Sequence, residues 1–262
     1  MSARIIQVDS FTATPYAGNP AAVCVLPGPR EDEWMRSVAA EMNLSETAFL
    51  HPKNGDGYRL RWFTPTVEVD LCGHATLASA HVLWEERYLR PDEAARFHTR
   101  SGVLTCQRAG DWIEMDFPAK FEQPAEPPPQ LREALGAEMK YVGRNQFDYL
   151  VEVADEAILR SLKPNHRLLR ELPVRGVIAT ARGAEYDFVS RFFAPGSGID
   201  EDPATGSSHC ALAPFWSARL GKKEMTAYQA SPRGGVIRVR VEGDRVRLGG
   251  QAVTVLRGEI VD

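Results

Sequence analysis

Short runs of β-branched and aromatic residues, separated by turn chemistry, dominate the first part of the chain. IIQVDSF (5–11), AAVCVL (21–26), TAFLH (47–51) and YRLRWF (58–63) each read as a strand, bounded by the Gly, Pro and Asn of TPYAGNP and PKNGDG. EDEWMRSVAAEMNL (31–44) instead carries apolar residues at helical spacing and predicts a helix with one buried face. Residues 74–84 fit neither pattern. Ala75, Leu77, Ala78, Ala80, Val82, Leu83 and Trp84 cover the whole circumference, so this helix has no wet face and requires structure on every side. After Asp116 comes PAKFEQPAEPPPQ, whose proline density forbids a strand or helix interior and predicts a linker.

A linker near mid-chain invites a search for duplication. RSGVLTCQRAGDWIEMD from Arg100 aligns without a gap to RGGVIRVRVEGDRVRLG from Arg233, an offset of 133. The same offset carries Gly73 to Gly206 and lays CGHATLASA over TGSSHCALA, two uncharged segments of small residues. The expected organisation is an N-terminal lobe (1–117), a Pro-rich linker (118–130) and a C-terminal lobe (131–262) that duplicates the first. The expected fold class is α+β: two pseudo-symmetric lobes, each a curved, barrel-like sheet closed around one central buried helix. In the second copy Pro214 predicts a bend or an early helix start, because an interior proline costs roughly 3 kcal/mol.

Composition narrows the function. At 262 residues and 44% hydrophobic content the chain buries a large core. Lys plus Arg number 31 against 35 Asp plus Glu, so no global field favours nucleic acid or an acidic membrane surface. The uncharged windows 71–84 and 203–218 are too short and mixed to span a bilayer, and MSARIIQVDS lacks the apolar run of a signal peptide. The expected location is the cytoplasm. Cys24, Cys72, Cys106 and Cys210 are scattered without a CxxC pair, as reduced thiols would be. No GxGxxG, GxxxxGK[ST] or GxSxG anchors a nucleotide or serine-hydrolase reading.

The candidate chemistry gathers at the two helix starts. Gly73 and Gly206 let backbone approach a ligand closely, and first-turn N–H groups favour an anion such as a carboxylate. Tight packing at both starts is the plainer explanation, and the twinned position argues for function. His74 follows Gly73, where the helix N-terminus favours a neutral imidazole; His81, further along, is read as core. Ser207 either donates to an oxyanion or packs as a small residue. Asp202 before Pro203 resembles an N-cap followed by a first-turn proline. Glu46 lies among Leu44, Ala48, Phe49 and Leu50, where a desolvated carboxyl suits acid–base work; Asn43 to Glu46 also fits a capping-box spacing. A zinc set assembled from Cys72, His74, His209 and Cys210 lacks the usual paired spacings, so no metal is expected.

At these residues the sequence resembles the PhzF family, the phenazine-biosynthesis isomerase and its relatives, which share the two-lobed fold of diaminopimelate epimerase. The resemblance is carried by QVDSFTATPYAGNPAAVCVL, NLSETAFL, RWFTPTVEVDLCGHATLASA, SRFFAPGSGIDEDPATGSSH and SPRGGVIRVRVEGDRVRLGGQAVTV, in that order along nearly the whole chain. It implies Glu46 as the acid–base carboxylate, with His74 and Asp202 as its catalytic partners. It implies Ser45, Gly73, Gly206 and Ser207 as substrate-binding positions. It further implies a cofactor-independent homodimer, moving a proton between carbons of a small carboxylic acid in the cleft between lobes. Two alternatives stand beside it: a thiol-based racemase or epimerase using Cys72, for which the region around DPATGS offers no second cysteine, and a non-catalytic carboxylate-binding protein.

Overall fold

The computed structural model describes residues 3–261, and two compact units emerge from it, one of residues up to 116 together with those from 249 onward, the other of residues 117–248. In the first unit β1 (Ala3–Ser10) lies antiparallel to β2 (Asn19–Val25), and α1 (Asp32–Met42) crosses to β3 (Glu46–Pro52), which runs parallel to β2. β4 (Tyr58–Phe63) is antiparallel to β3 and carries the short β5 (Glu68–Val69) before α2 (Gly73–Glu85). β6 (Ala95–Thr99) then returns parallel to β4, followed by the antiparallel β7 (Gly102–Ala109) and β8 (Trp112–Pro118).

The second unit repeats this plan. β9 (Gln123–Pro124) pairs antiparallel with β10 (Met139–Arg144) across α3 (Pro129–Leu135), and β10 with β11 (Asp148–Val153). α4 (Glu156–Ser161) and α5 (His166–Arg170) cross to β12 (Gly176–Arg182), parallel to β11; β13 (Phe188–Ala194) is antiparallel to β12 and carries β14 (Ile199–Asp202). α6 (Gly206–Leu220) follows, then β15 (Glu224–Gln229) parallel to β13, β16 (Gly235–Glu242) antiparallel to β15, and β17 (Arg245–Gly250). The starts of α6, β16 and β17 lie 133 residues beyond those of α2, β7 and β8, the offset read in the sequence.

The last strand, β18 (Ala252–Ile260), does not stay with the second unit. It runs antiparallel along the whole of β1, from Ala3 opposite Ile260 to Ser10 opposite Ala252. The region from 249 onward, read from the sequence as the end of the C-terminal lobe, therefore completes the first unit's sheet. The proline-rich stretch is likewise structured: it contributes β9 and opens α3, with Pro129 at the first turn.

Each central helix is enclosed as its apolar circumference demands. In α2 every residue from His74 to Trp84 is buried except the half-buried His81, and α2 packs on β1, β2, β3 and β18. The opposite face of the same strands takes Met35, Val38 and Ala39 of α1 against Ala22, Cys24 and Phe49. Covered on both sides, β2 is apolar at nearly every position rather than alternating. In the second unit, α3, α4 and α5 supply Leu131, Leu135, Leu159 and Leu169 to the corresponding outer layer over β11 and β12.

Pro214 neither starts nor breaks its helix; α6 runs through it from Gly206 to Leu220. Proline has no N–H for the carbonyl four residues back, which is that of Cys210. The backbone N–H of Lys120 donates to that carbonyl instead, at 2.9 Å. The Cys210 carbonyl, deprived of the donor four residues on, thus receives one from the proline-rich stretch.

Candidate functional site

The site in the first unit is built by three strand and helix starts. Glu46 is the first residue of β3, His74 the second of α2, and Asn19 the first of β2. Asn43 is not a capping-box residue: it closes α1 in the left-handed conformation, φ 49°, and its backbone N–H donates to the carbonyl of Ala39. The chain can then turn at once into β3, which delivers Glu46 to the end of α2. His74 Nε2 stands 3.3 Å from Glu46 Oε2, with both side chains largely withdrawn from solvent. The pair is close but not aligned, so Nε2 finds no hydrogen-bond partner among the described residues.

The other ring nitrogen is held. Asn19 Nδ2 lies 3.2 Å from His74 Nδ1, and Ser45 Oγ donates to Asn19 Oδ1 at 3.2 Å. Cys72, the N-cap residue of α2, brings its Sγ to 3.5 Å from Nδ1. Ser10 Oγ donates to the backbone carbonyl of His74 at 2.8 Å. Burial pushes the His74 imidazole down from 6.5 to about 3, so it is neutral at physiological pH. Among the described residues, Glu46, Cys72 and His74 place one donor atom each within 4.8 Å of one another. This is the set that could hold a cation. It takes Glu46 in place of the His209 and Cys210 of the sequence-based zinc set.

In the second unit Asp202 does not cap α6. It ends β14, and Thr205 is the N-cap residue; the Thr205 hydroxyl donates to Asp202 Oδ2. Gln229, at the end of β15, clamps both: its Nε2 donates to the Asp202 carbonyl at 2.7 Å, and its Oε1 accepts from Thr205 N at 2.8 Å. Ser207 is the second residue of α6, the position His74 holds in α2. Its Oγ accepts from Arg175 Nη1 at 2.8 Å, and Arg175 is itself gripped by both carboxylate oxygens of Asp148. With an arginine donating to its oxygen, Ser207 has its own hydrogen to offer elsewhere. His209 is fully buried, hydrogen-bonded through Nδ1 to the Thr205 carbonyl at 2.8 Å, and pushed down to about 4 by burial.

The structure thus brings Glu46, His74 and Ser45 together, puts Gly73 at the first position of the enclosed α2, and puts Asp202, Gly206 and Ser207 together at the start of α6. His81, read as core, is half-buried beside Thr254 and Glu85. Sequence reading missed Asn19, Thr205, Gln229 and the Asp148–Arg175 pair. Only the GNP and ATGS contexts, tight turns beside an already suspected residue, hinted at the first two. The thiol alternative meets an asymmetry here. The N-cap of α2 is Cys72 and that of α6 is Thr205, so the twinned starts carry one thiol, not two.

Comparison with known proteins agrees with this architecture. A family model described as phenazine biosynthesis-like protein, PhzC-PhzF, matches residues 8–258. An uncharacterized isomerase of Halalkalibacterium halodurans is 54% identical, over 100% of this chain and 99% of its own length. The crystal structure of a PhzF-family phenazine biosynthesis protein from Enterococcus faecalis superposes with a TM-score of 0.96 at 40% identity, covering 100% of both chains. A predicted epimerase from Pseudomonas aeruginosa shares the fold at 22% identity, with a TM-score of 0.80 over 99% of each chain. The α+β, diaminopimelate-epimerase-like fold expected from the sequence is the one these structures share. With the match spanning nearly every residue and a full-length relative more than half identical, the chain belongs to the PhzC-PhzF, phenazine biosynthesis-like protein family and is an isomerase.

Proposed function

We propose that the isomerase moves a proton between carbons of a small unsaturated or hydroxylated carboxylic acid, with Glu46 as the group that takes the proton and returns it. The observation that carries this reading is the Glu46–His74 pair. A carboxylate and a neutral imidazole face each other at 3.3 Å at the start of an enclosed helix, with His74 Nε2 buried and unsatisfied. A buried donor without a partner costs about 1–3 kcal/mol, and a substrate oxygen would relieve that cost. First-turn N–H groups at Gly73, and in the second unit those at Gly206 with the Ser207 hydroxyl, are each of the kind that suits a carboxylate gaining charge as the adjacent carbon loses its proton. Asp202, held by Thr205 and Gln229, and His74 orient substrate or share the proton load. Action without a cofactor, as a cytoplasmic homodimer, follows from the family resemblance and belongs to the same proposal.

The test is hydrogen exchange in heavy water, read by proton NMR on a panel of small unsaturated and hydroxylated carboxylic acids. The expected result is deuterium entering at a substrate carbon. Glu46→Gln, which keeps the shape and removes the base, should slow that exchange by roughly 10²-fold or more. Wild-type exchange in E46Q would exclude Glu46 from the role. Cys72→Ser should retain most of the exchange rate; its abolition there with E46Q active would favour the thiol reading, which the 3.5 Å approach of Cys72 Sγ to His74 supports.

A further inference from the structure

The His74 ring can do its work in only one of its two neutral forms, and the structure shows what selects it. We infer that Asn19 is a positioning residue that fixes His74 with its hydrogen on Nε2, the nitrogen beside Glu46, where it can meet the reacting substrate. Asn19 is fully buried at the start of β2, and its amide has two functions to place. Ser45 Oγ donates to Oδ1, so the amide's NH2 side faces the ring, 3.2 Å from Nδ1. An NH2 group only donates, so the nitrogen that meets it must be the bare one. Cys72 Sγ, 3.5 Å away on the same nitrogen, is a second weak donor pointing to the same tautomer. The remaining hydrogen then sits on Nε2, 3.3 Å from Glu46 Oε2.

The backbone fixes Asn19 as tightly as the hydrogen bonds do. Gly18 precedes it with φ +65°, and a Cβ there would fall 2.2 Å from the Ser10 carbonyl oxygen, so only glycine fits the turn that feeds β2. Ser45 is drawn into this relay as well. Its hydroxyl is committed to Asn19, which makes it a support for the histidine rather than simply a substrate contact. The inference rests on the proton-transfer reading above, because the choice of tautomer matters only if His74 Nε2–H faces the reaction. A hydrogen placed on Nδ1 instead would leave two acceptors, Nε2 and the carboxylate, facing each other.

Two-bond nitrogen–proton NMR on protein labelled at histidine separates the two nitrogens of each ring, and His74→Gln identifies the His74 signals among the six histidines. The wild type should show Nε2 protonated and Nδ1 bare at neutral pH. Asn19→Asp replaces the donor by an acceptor; the hydrogen should move to Nδ1, and substrate exchange in heavy water should fall by roughly 10²-fold. Asn19→Leu removes the donor without adding an acceptor and should give a mixture of tautomers. Wild-type protein with its hydrogen on Nδ1 overturns the inference, and that measurement needs no variant to fold. An N19D protein with wild-type tautomer and altered activity also overturns it, assigning Asn19 a packing role. If the wild-type tautomer is as stated while E46Q exchanges normally, the proton-transfer reading fails and the tautomer assignment stands.

Discussion

His74 and His209 sit at the second and fourth positions of the two enclosed helices, and burial keeps both imidazoles neutral. Their values fall from 6.5 to about 3 and about 4. A folded-state pKa below the unfolded one means that the unfolded chain takes up protons first as the pH drops. The stability these residues contribute is therefore present above about pH 6.5 and is lost as the pH falls towards 4 and then 3. Urea midpoints should decline steadily from about pH 7 to about pH 4.5, and His209→Gln should flatten the slope even if it lowers the plateau. A variant with the wild-type slope would show that His209 is not among the groups responsible. Glu46 was legible in the sequence as an ionisable residue amid apolar neighbours, and His74 as the residue that follows the glycine at a helix start. Asn19 and Arg175 were not, because a polar residue at a strand start looks like turn chemistry until the partner strand and the central helix are placed beside it.

The central helices show which local rules held. Full-circumference apolarity predicted two enclosed helices, and both start at the glycines singled out, Gly73 and Gly206. The Asp202–Pro203 pair obeyed a local rule that lost to sheet pairing. Asp202 is held in β14 opposite Phe192, and the cap position falls to Thr205 three residues on. Pro214 predicted a bend or an early helix start because the donor that replaces its missing N–H, Lys120, lies far away in sequence. That compensation makes a specific prediction. Pro214→Ala restores the N–H at position 214, which competes for the Cys210 carbonyl and sets the Lys120 amide free. Hydrogen exchange should show Lys120 losing protection while the α6 amides stay protected; an unchanged Lys120 amide would mean that its protection has another source.

At the scale of the molecule, the 133-residue duplication was visible because it survives as matched Gly, Val and Asp positions between β7–β8 and β16–β17. The assignment of β18 to the first unit was not visible, since its partner β1 stands at the other end of the chain and no local pattern records that pairing. Within each unit a strand precedes or closes on the first long hairpin: β9 for β10, and β18 for β1. Moving β18 ahead of β1 by circular permutation, with the chain opened between Gly250 and Gln251, would make both units continuous apart from Gly249 and Gly250 and turn β18–β1 into a simple hairpin. The permutant should fold with the circular dichroism of the natural order, whereas deleting residues 252–262 should strip exchange protection from β1. A deletion variant with β1 still protected would contradict the pairing.

Because Ala3 lies directly across from Ile260, the first and last strands meet as neighbours. A donor and an acceptor dye attached at Arg4 and Glu259, which face each other in the same pairing, would then sit within efficient energy-transfer range, and the colour of the emitted light would serve as an optical gauge of whether the polypeptide remains fastened into a loop.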